Sequence, residues 1–187
     1  MNIGFCVTGS YCTFSKVLPL LKELVDKGHR IKPVFSYNVH STDTRFYKAR
    51  DFYLDVEEVT GVTPITTIFD AEPIGPQKDL DAMVICPATG NTLAKLNHAI
   101  TDTPVLMAAK AHLRNQKPLI IAVSTNDALG GSFVNIASLM NKKNIYFVPM
   151  KQDDCIKKPN SVLADFTLVE STVLNAVNGA QIQPIFL

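Results

Sequence analysis

The sequence predicts an α/β fold, a doubly wound parallel sheet with helices on both faces. Three observations carry that reading. Short, almost wholly apolar runs alternate with amphipathic stretches of helical period from one end of the chain to the other. No repeat, low-complexity tract or linker interrupts the alternation, so residues 1–187 read as a single domain. Hydrophobic residues make up 47% of the chain and charged residues 19%, which supplies a packed core and argues against a disordered chain.

Residues 2–8 (NIGFCVT) form the first expected strand, broken by Gly9-Ser10. Thr13 and Ser15 can cap the helix that follows, in which Val17, Leu20, Leu21, Leu24 and Val25 share one stripe and Gly28 marks the stop. RIKPVFSY (30–37) is the second strand. Phe46, Ala49, Phe52, Tyr53, Val56 and Val59 mark a helix closed by Gly61. PITTIFD (64–70) reads as a third strand and AMVICP (82–87) as a fourth, with a Pro/Gly-rich loop between them. Helical pattern resumes near Asn91 and again over 104–115. KPLIIAVST (117–125) is the fifth strand, IYFVPM (145–150) the sixth, with a helix centred on 134–140 between them. The polar segment 151–160 reads as a loop, 162–178 as the last helix and QIQPIFL as a short edge strand. The right-handed crossover rule then limits the topologies, and the strand order 3-2-1-4-5-6 is the expected one.

Composition excludes several function classes. Lys plus Arg number 18 and Asp plus Glu 17, a formal +1 with no block of either sign, so neither nucleic acid nor a membrane surface is an expected partner. No apolar run reaches the roughly 18 residues that span a bilayer. The N-terminus lacks a basic, apolar leader, and Cys6, Cys12, Cys86 and Cys155 match neither a zinc pattern nor a CxxC pair; a cytoplasmic protein with reduced thiols is expected, and no metal site. No Ser/His/Asp order or HxxxH cluster points to hydrolase or zinc chemistry.

In doubly wound sheets, ligands bind at the carboxyl ends of strands where the strand order reverses. With the expected order, strands 1 and 4 flank that crevice. Two hydroxyl-rich, Gly-containing loops follow those strands, 8–13 (TGSYCT) and 87–92 (PATGNT), and each opens a helix. Helix N-termini offer free N–H groups and a positive dipole end, and Ser and Thr add donors, so the pair suits a phosphate. Neither GxGxxG nor GxxxxGK[ST] is present, so a mononucleotide with one phosphate fits better than a dinucleotide or triphosphate. A third loop, 124–131 (STNDALGG), follows strand 5 on the same edge and brings Asn126 and Asp127.

The GSYCT turn, the PATGNTLAK segment (87–95) and the AVSTNDALG segment (122–130) resemble the flavoprotein family that includes FMN-binding homo-oligomeric decarboxylases. The 87–95 segment is similar to that family's PxSANTxAK stretch, and 122–130 lies where the decarboxylases carry PxMNxxMW. A narrower resemblance, to the B subunits of dipicolinate synthase, rests on STDTRF (41–46), ITTIFDAEPIGP (65–76), DTPVLMAAKAHLRN (102–115), STNDALG (124–130) and KNIYFVPMKQDD (143–154) together. It implies a Rossmann-like flavoprotein fold, FMN as cofactor, a homo-oligomer built on trimers, and a role in the mother cell of a sporulating bacterium. There the chain partners a dipicolinate synthase A subunit, which carries the NAD(P) site, and the pair oxidises dihydrodipicolinate, a small dicarboxylate. The alternatives are an FMN-dependent decarboxylase of a cysteine-containing substrate and a non-catalytic stabilising subunit. The Pro, Met and Trp of PxMNxxMW are Val123, Thr125 and Gly130 here, which argues against the decarboxylase.

Carried over by position, Gly9, Ser10, Ser36, Pro87, Thr89, Asn91, Thr92, Ser124 and Thr125 are the expected cofactor-binding residues. Asn126 matches the Asn of PxMNxxMW on the substrate side. His40, the histidine nearest strand 2, is the candidate acid or base. Arg45 is the candidate contact for a dicarboxylate, which a guanidinium binds bidentately. His29, His98 and His112 read as structural. Cys6 and Cys86 read as inert core thiols, and Cys12 as a thiol at a helix N-terminus. Aromatic residues over 46–53 divide between the core and a partner contact.

Overall fold

A computed structural model describes residues 1–187. The strands are β1 (Asn2–Val7), β2 (Arg30–Phe35), β3 (Ala82–Ala88), β4 (Leu119–Thr125), β5 (Ile145–Phe147), β6 (Met150–Asp154) and β7 (Lys158–Ala164). The helices are α1 (Phe14–Asp26), α2 (Tyr37–Ser41), α3 (Ala49–Thr60), α4 (Ile68–Ala71), α5 (Ile74–Gln77), α6 (Gly90–Asn97), α7 (Pro104–Leu113), α8 (Phe133–Met140) and α9 (Val169–Val177). The sheet runs β2-β1-β3-β4-β7-β6, and β5 pairs with β4 beside that path. Neighbours from β2 to β4, and the β4–β5 pair, are parallel. The expected doubly wound order is therefore present, with the third expected strand reduced to one parallel bridge between Ile65 and Val34.

That reduction has a local cause. Thr67 caps a helix instead of extending a strand: its Oγ1 accepts from Asp70 N at 3.0 Å and donates to the Asp70 carboxylate. The β-branched run ITTI suits a strand, but the hydroxyl offers the backbone a competing partner.

The other departure lies beside β4. Its first half, Leu119–Ile121, pairs with β5; its last two residues, Ser124 and Thr125, pair antiparallel with β7. Pro149 follows β5 and has no N–H to continue a ladder. The chain turns there into the β6–β7 hairpin, which occupies the segment expected as a loop and takes residues 162–164 from the expected last helix. Asp165 ends β7 by accepting from Thr167 N at 3.1 Å, and α9 starts only at Val169. The C-terminal tail pairs with the start of β6 through Phe186 and Met150. Gln181 seals the outer edge of β5: its side-chain amide accepts from Phe147 N at 2.8 Å and donates to Phe147 O at 2.7 Å, in place of a neighbouring strand.

The strands β1, β3 and β4 are buried almost throughout, as strands covered on both faces must be. The core is one cluster of 47 buried residues. On one face Phe52 of α3 is fully buried and stacks on Phe14 (4.3 Å between ring centroids) and Phe35 (5.5 Å). The aromatic run of 46–53 thus divides: Phe52 is core, while Phe46 is 49% exposed. No helix is long and apolar enough to cross a membrane.

Candidate functional site

The strand order reverses between β1 and β3. Thr8, at the end of β1, fastens the two loops that leave this point. Its buried hydroxyl donates to Pro87 O at 2.7 Å and accepts from Thr89 N at 3.1 Å. Each loop then opens a helix. A short 3₁₀ turn, Tyr11–Thr13, leads into α1, and Thr89 caps α6 by accepting from Thr92 N at 3.3 Å. The third loop joins from β4: Ser124 Oγ lies 2.7 Å from Ser10 Oγ, bridging across β3.

These loops surround a cleft of about 940 Å³. Gly9, Ser10, Thr89, Asn91, Ser124, Thr125 and Asn126 line it, as does Arg45 from the loop before α3. Most of the lining residues are polar or glycine, and Ser and Thr hydroxyls recur among them. Asp127 closes one side. Its carboxylate accepts from Thr125 Oγ1 at 2.6 Å and from Ser132 Oγ at 2.9 and 3.0 Å. It packs so tightly on the first residue of α6 that a Cβ on Gly90 would meet Asp127 Oδ1 at 2.8 Å and Thr125 Oγ1 at 3.0 Å, with Ser132 Oγ closer still. Gly90 is therefore the residue this junction requires.

The opposite wall was not legible in the sequence. It is the β6–β7 hairpin, which contributes Asp153, Lys158 and Ser161. Lys158 pairs with Asp153 at 2.6 Å, and that hydrogen bond holds its pKa above the ordinary lysine value. Lys16 on α1 completes the rim. Residues 158–164 (KPNSVLA) show no period-two alternation, only a short apolar end at Val162–Ala164, and the charged, Pro-containing start of the strand reads as a loop.

Four expected residues stand apart from the lining. The Pro87 carbonyl is taken by Thr8, and the buried Thr92 hydroxyl lies 2.9 Å from Thr89 Oγ1, so both shape the β3–α6 turn from behind. His40 sits on the exposed side of α2, its ring 5.9 Å from that of Tyr53, and does not reach the cleft. Ser36 lies at the end of β2 with its N–H on Val7 O at 3.1 Å, which places it beside the end of β1. Its Oγ is buried and has no hydrogen-bond partner. An unpaired buried hydroxyl costs about 1–3 kcal/mol, so this atom is suited to a polar ligand group. Burial pushes the Cys6 and Cys86 thiols well up, in keeping with inert core positions. No group of His, Cys, Asp and Glu is arranged to hold a metal ion.

A doubly wound sheet with a hydroxyl-lined cleft at the strand reversal defines a class of nucleotide- and flavin-binding folds. The Flavoprotein family matches residues 1–166, and the chain belongs to that family. Within it, the chain is 48% identical over 186 residues to the dipicolinate synthase B subunit of Bacillus subtilis (strain 168), covering 100% of this chain and 93% of the relative. The crystal structure of the dipicolinate synthase B subunit from Bacillus halodurans C superposes with a TM-score of 0.91 at 43% identity, covering 100% and 95% of the two chains. The FMN-dependent cysteine decarboxylase SpaF shares the fold, with a TM-score of 0.60, 24% identity and coverage of 94% and 95%. So does a dodecameric FMN-dependent UbiX-like decarboxylase from Escherichia coli O157:H7, with a TM-score of 0.65, 21% identity and 80% of each chain covered.

Proposed function

We propose that this chain is the B subunit of a dipicolinate synthase. It acts with a nicotinamide-binding A subunit to oxidise dihydrodipicolinate to dipicolinate during sporulation, in the mother-cell cytoplasm, and its cleft binds FMN. The observation that carries the reading is the meeting of hydroxyls from three strand ends in one cleft at the β1/β3 reversal. The full-length likeness to two dipicolinate synthase B subunits supports it. The FMN-dependent relatives that share the fold support the cofactor, and the dodecameric one supports a homo-oligomer, here built on trimers.

The donor set suits FMN. Gly9, Ser10, Thr89, Asn91, Ser124 and Thr125 offer neutral donors and acceptors for the phosphate and ribityl oxygens. Ser36, with its unpaired buried hydroxyl, stands behind this lining at the end of β2. Thr8 and Thr92 hold the two loops in place, so the donors need no reorganisation when a ligand enters. When bound, FMN supplies a two-electron carrier between the dihydropyridine ring and the nicotinamide on the A subunit. The chain's own tasks are then binding and orientation. Arg45 faces the substrate's carboxylate, Asn126 contributes an amide beside it, and the polar walls fix the pose. His40 is not among the residues that line the cleft.

The test is spectroscopic. The purified chain is incubated with excess FMN, desalted, and its visible absorption recorded, alone and as the complex with the A subunit. A retained flavin band that weakens in Ser10→Ala supports the reading. Absence of the band from both the chain and the complex rejects a flavin site.

A further inference from the structure

The charged residues of the cleft divide unequally. Five ionisable groups of fixed sign line it: Lys16, Arg45, Lys158, Asp127 and Asp153. Lys158 and Asp153 neutralise each other at 2.6 Å. Asp127 is engaged by hydroxyls on the α6 side, where the positive end of that helix compensates it. Lys16 and Arg45 have no carboxylate within 4.0 Å. Neither makes any side-chain hydrogen bond. The Arg45 guanidinium instead lies 4.8 Å over the ring of Phe46, a stacked arrangement that leaves its N–H edge free.

The two free cations come from different elements: Lys16 from the first turn of α1, Arg45 from the loop between α2 and α3. Phe46 lies against Arg45, and Tyr11 is a second aromatic residue of the lining. The cleft thus combines a set of hydroxyl donors with two free cations and two aromatic side chains. A planar ring bearing two carboxylates satisfies both cations, with the ring against aromatic carbon.

We infer that Lys16 and Arg45 form a two-point clamp that selects a planar dicarboxylate over the corresponding monocarboxylate. This rests on the reading of the cleft as the site of dihydrodipicolinate oxidation, and it assigns the second carboxylate to Lys16. The hydroxyl donors remain available to the cofactor.

Calorimetric titration tests the clamp, on the full chain and on its complex with the A subunit. The probes are pyridine-2,6-dicarboxylate and pyridine-2-carboxylate. Wild type is expected to bind the dicarboxylate at least about 10-fold more tightly, since a charge-assisted contact contributes about 1.5–3 kcal/mol. Lys16→Ala and Arg45→Ala each lower dicarboxylate affinity by about 10-fold or more, and the double variant loses the preference for two carboxylates. Lys22→Ala, an exposed cation of α1 outside the cleft, leaves the preference intact and controls for net charge. Flavin retention, read in parallel, is unchanged in all of these variants. Equal binding of the two probes by wild type, no dicarboxylate binding in either preparation, or full affinity in Lys16→Ala overturns the clamp. A wild type that retains FMN yet shows no preference for the dicarboxylate sinks the clamp and leaves the flavin reading standing. A preference that depends on Lys16 in protein that retains no FMN does the reverse.

Discussion

Ser10 and Ser124 share a hydrogen bond of 2.7 Å although 114 residues separate them. They stand at the ends of β1 and β4, and β3 lies between those strands. The bond therefore spans the strand reversal and ties the first loop of the cleft to the third. Either hydroxyl can donate, so the pair can present a donor or an acceptor to whatever enters.

This pairing makes a graded prediction for cofactor binding. Ser10→Ala removes a ligand contact and also leaves the buried Ser124 hydroxyl without its partner. One neutral hydrogen bond contributes about 0.5–1.5 kcal/mol, so FMN affinity should fall roughly 2- to 10-fold in either Ser→Ala variant. The double variant should lose less than the sum, because the two groups act as one pair. Fluorescence titration with FMN reads all three. Strict additivity would show that the two hydroxyls meet the ligand independently.

Gly90 is a second point where geometry gives a firm expectation. An alanine there drives its Cβ into Asp127, Thr125 and Ser132, which are held in one hydrogen-bonded cluster. Overpacking of this kind costs about 1–3 kcal/mol. Gly90→Ala should lower the melting temperature and weaken FMN retention together, since the same atoms position the start of α6. Gly131→Ala is the contrast: its Cβ would meet nothing nearer than Asp127 Oδ2 at 3.8 Å, so melting should stay near wild type.

The sheet order and the switch-point loops were legible because the signals that set them are local. The apolar runs at 2–8, 82–87 and 117–125 are buried on both faces, and a Gly- and hydroxyl-containing loop follows each one. The segments that failed are those whose state is decided elsewhere. ITTI at 65–68 has strand propensity, and a single hydroxyl on Thr67 redirects it into α4. Residues 151–160 are polar enough for a loop, and only pairing of β7 with the end of β4 makes them a hairpin. That is why the wall bearing Asp153, Lys158 and Ser161 could not be read from the sequence, while the Gly9, Ser10 and Thr89 wall could. His40 was carried over from the family resemblance as the histidine nearest strand 2, and it lies on the exposed side of the short helix α2.

Phe52 tests the packing beneath α3. Its ring is fully buried, stacked on Phe14 and Phe35 and met edge-on by Tyr47 at 5.3 Å. Phe52→Ala should cost about 3–5 kcal/mol. Tyr47 also donates to Asp55, a bond that raises its phenol pKa to about 12. It is thereby anchored on α3 and cannot swing in to fill the space. Urea unfolding should show a lower midpoint with an unchanged slope. Phe52→Leu, which restores most of the volume, should recover more than half of the loss.

The acid side of the stability profile should carry the mark of His112. Only 1% of its surface is exposed, and burial lowers its pKa from 6.5 to about 4, with Lys117 adding to the effect and the hydrogen bond to Pro118 O opposing it. That bond, 3.0 Å from Nε2 to the carbonyl oxygen, requires the ring to donate, which the neutral Nε2–H tautomer does. In the unfolded chain the imidazole takes up a proton near pH 6.5; in the folded chain it does so only near pH 4. Between those values the unfolded state binds more protons, so stability falls as pH falls, by up to about 3 kcal/mol over the window. Above pH 6.5 the residue is neutral in both states and contributes no slope. His112→Gln keeps a donor toward Pro118 and has nothing to titrate. Its urea midpoint should therefore vary less than that of wild type between pH 6.5 and 4. Parallel curves for the two proteins across that window would mean that His112 takes up its proton at the same pH folded and unfolded, and that the carbonyl bond offsets the burial in full.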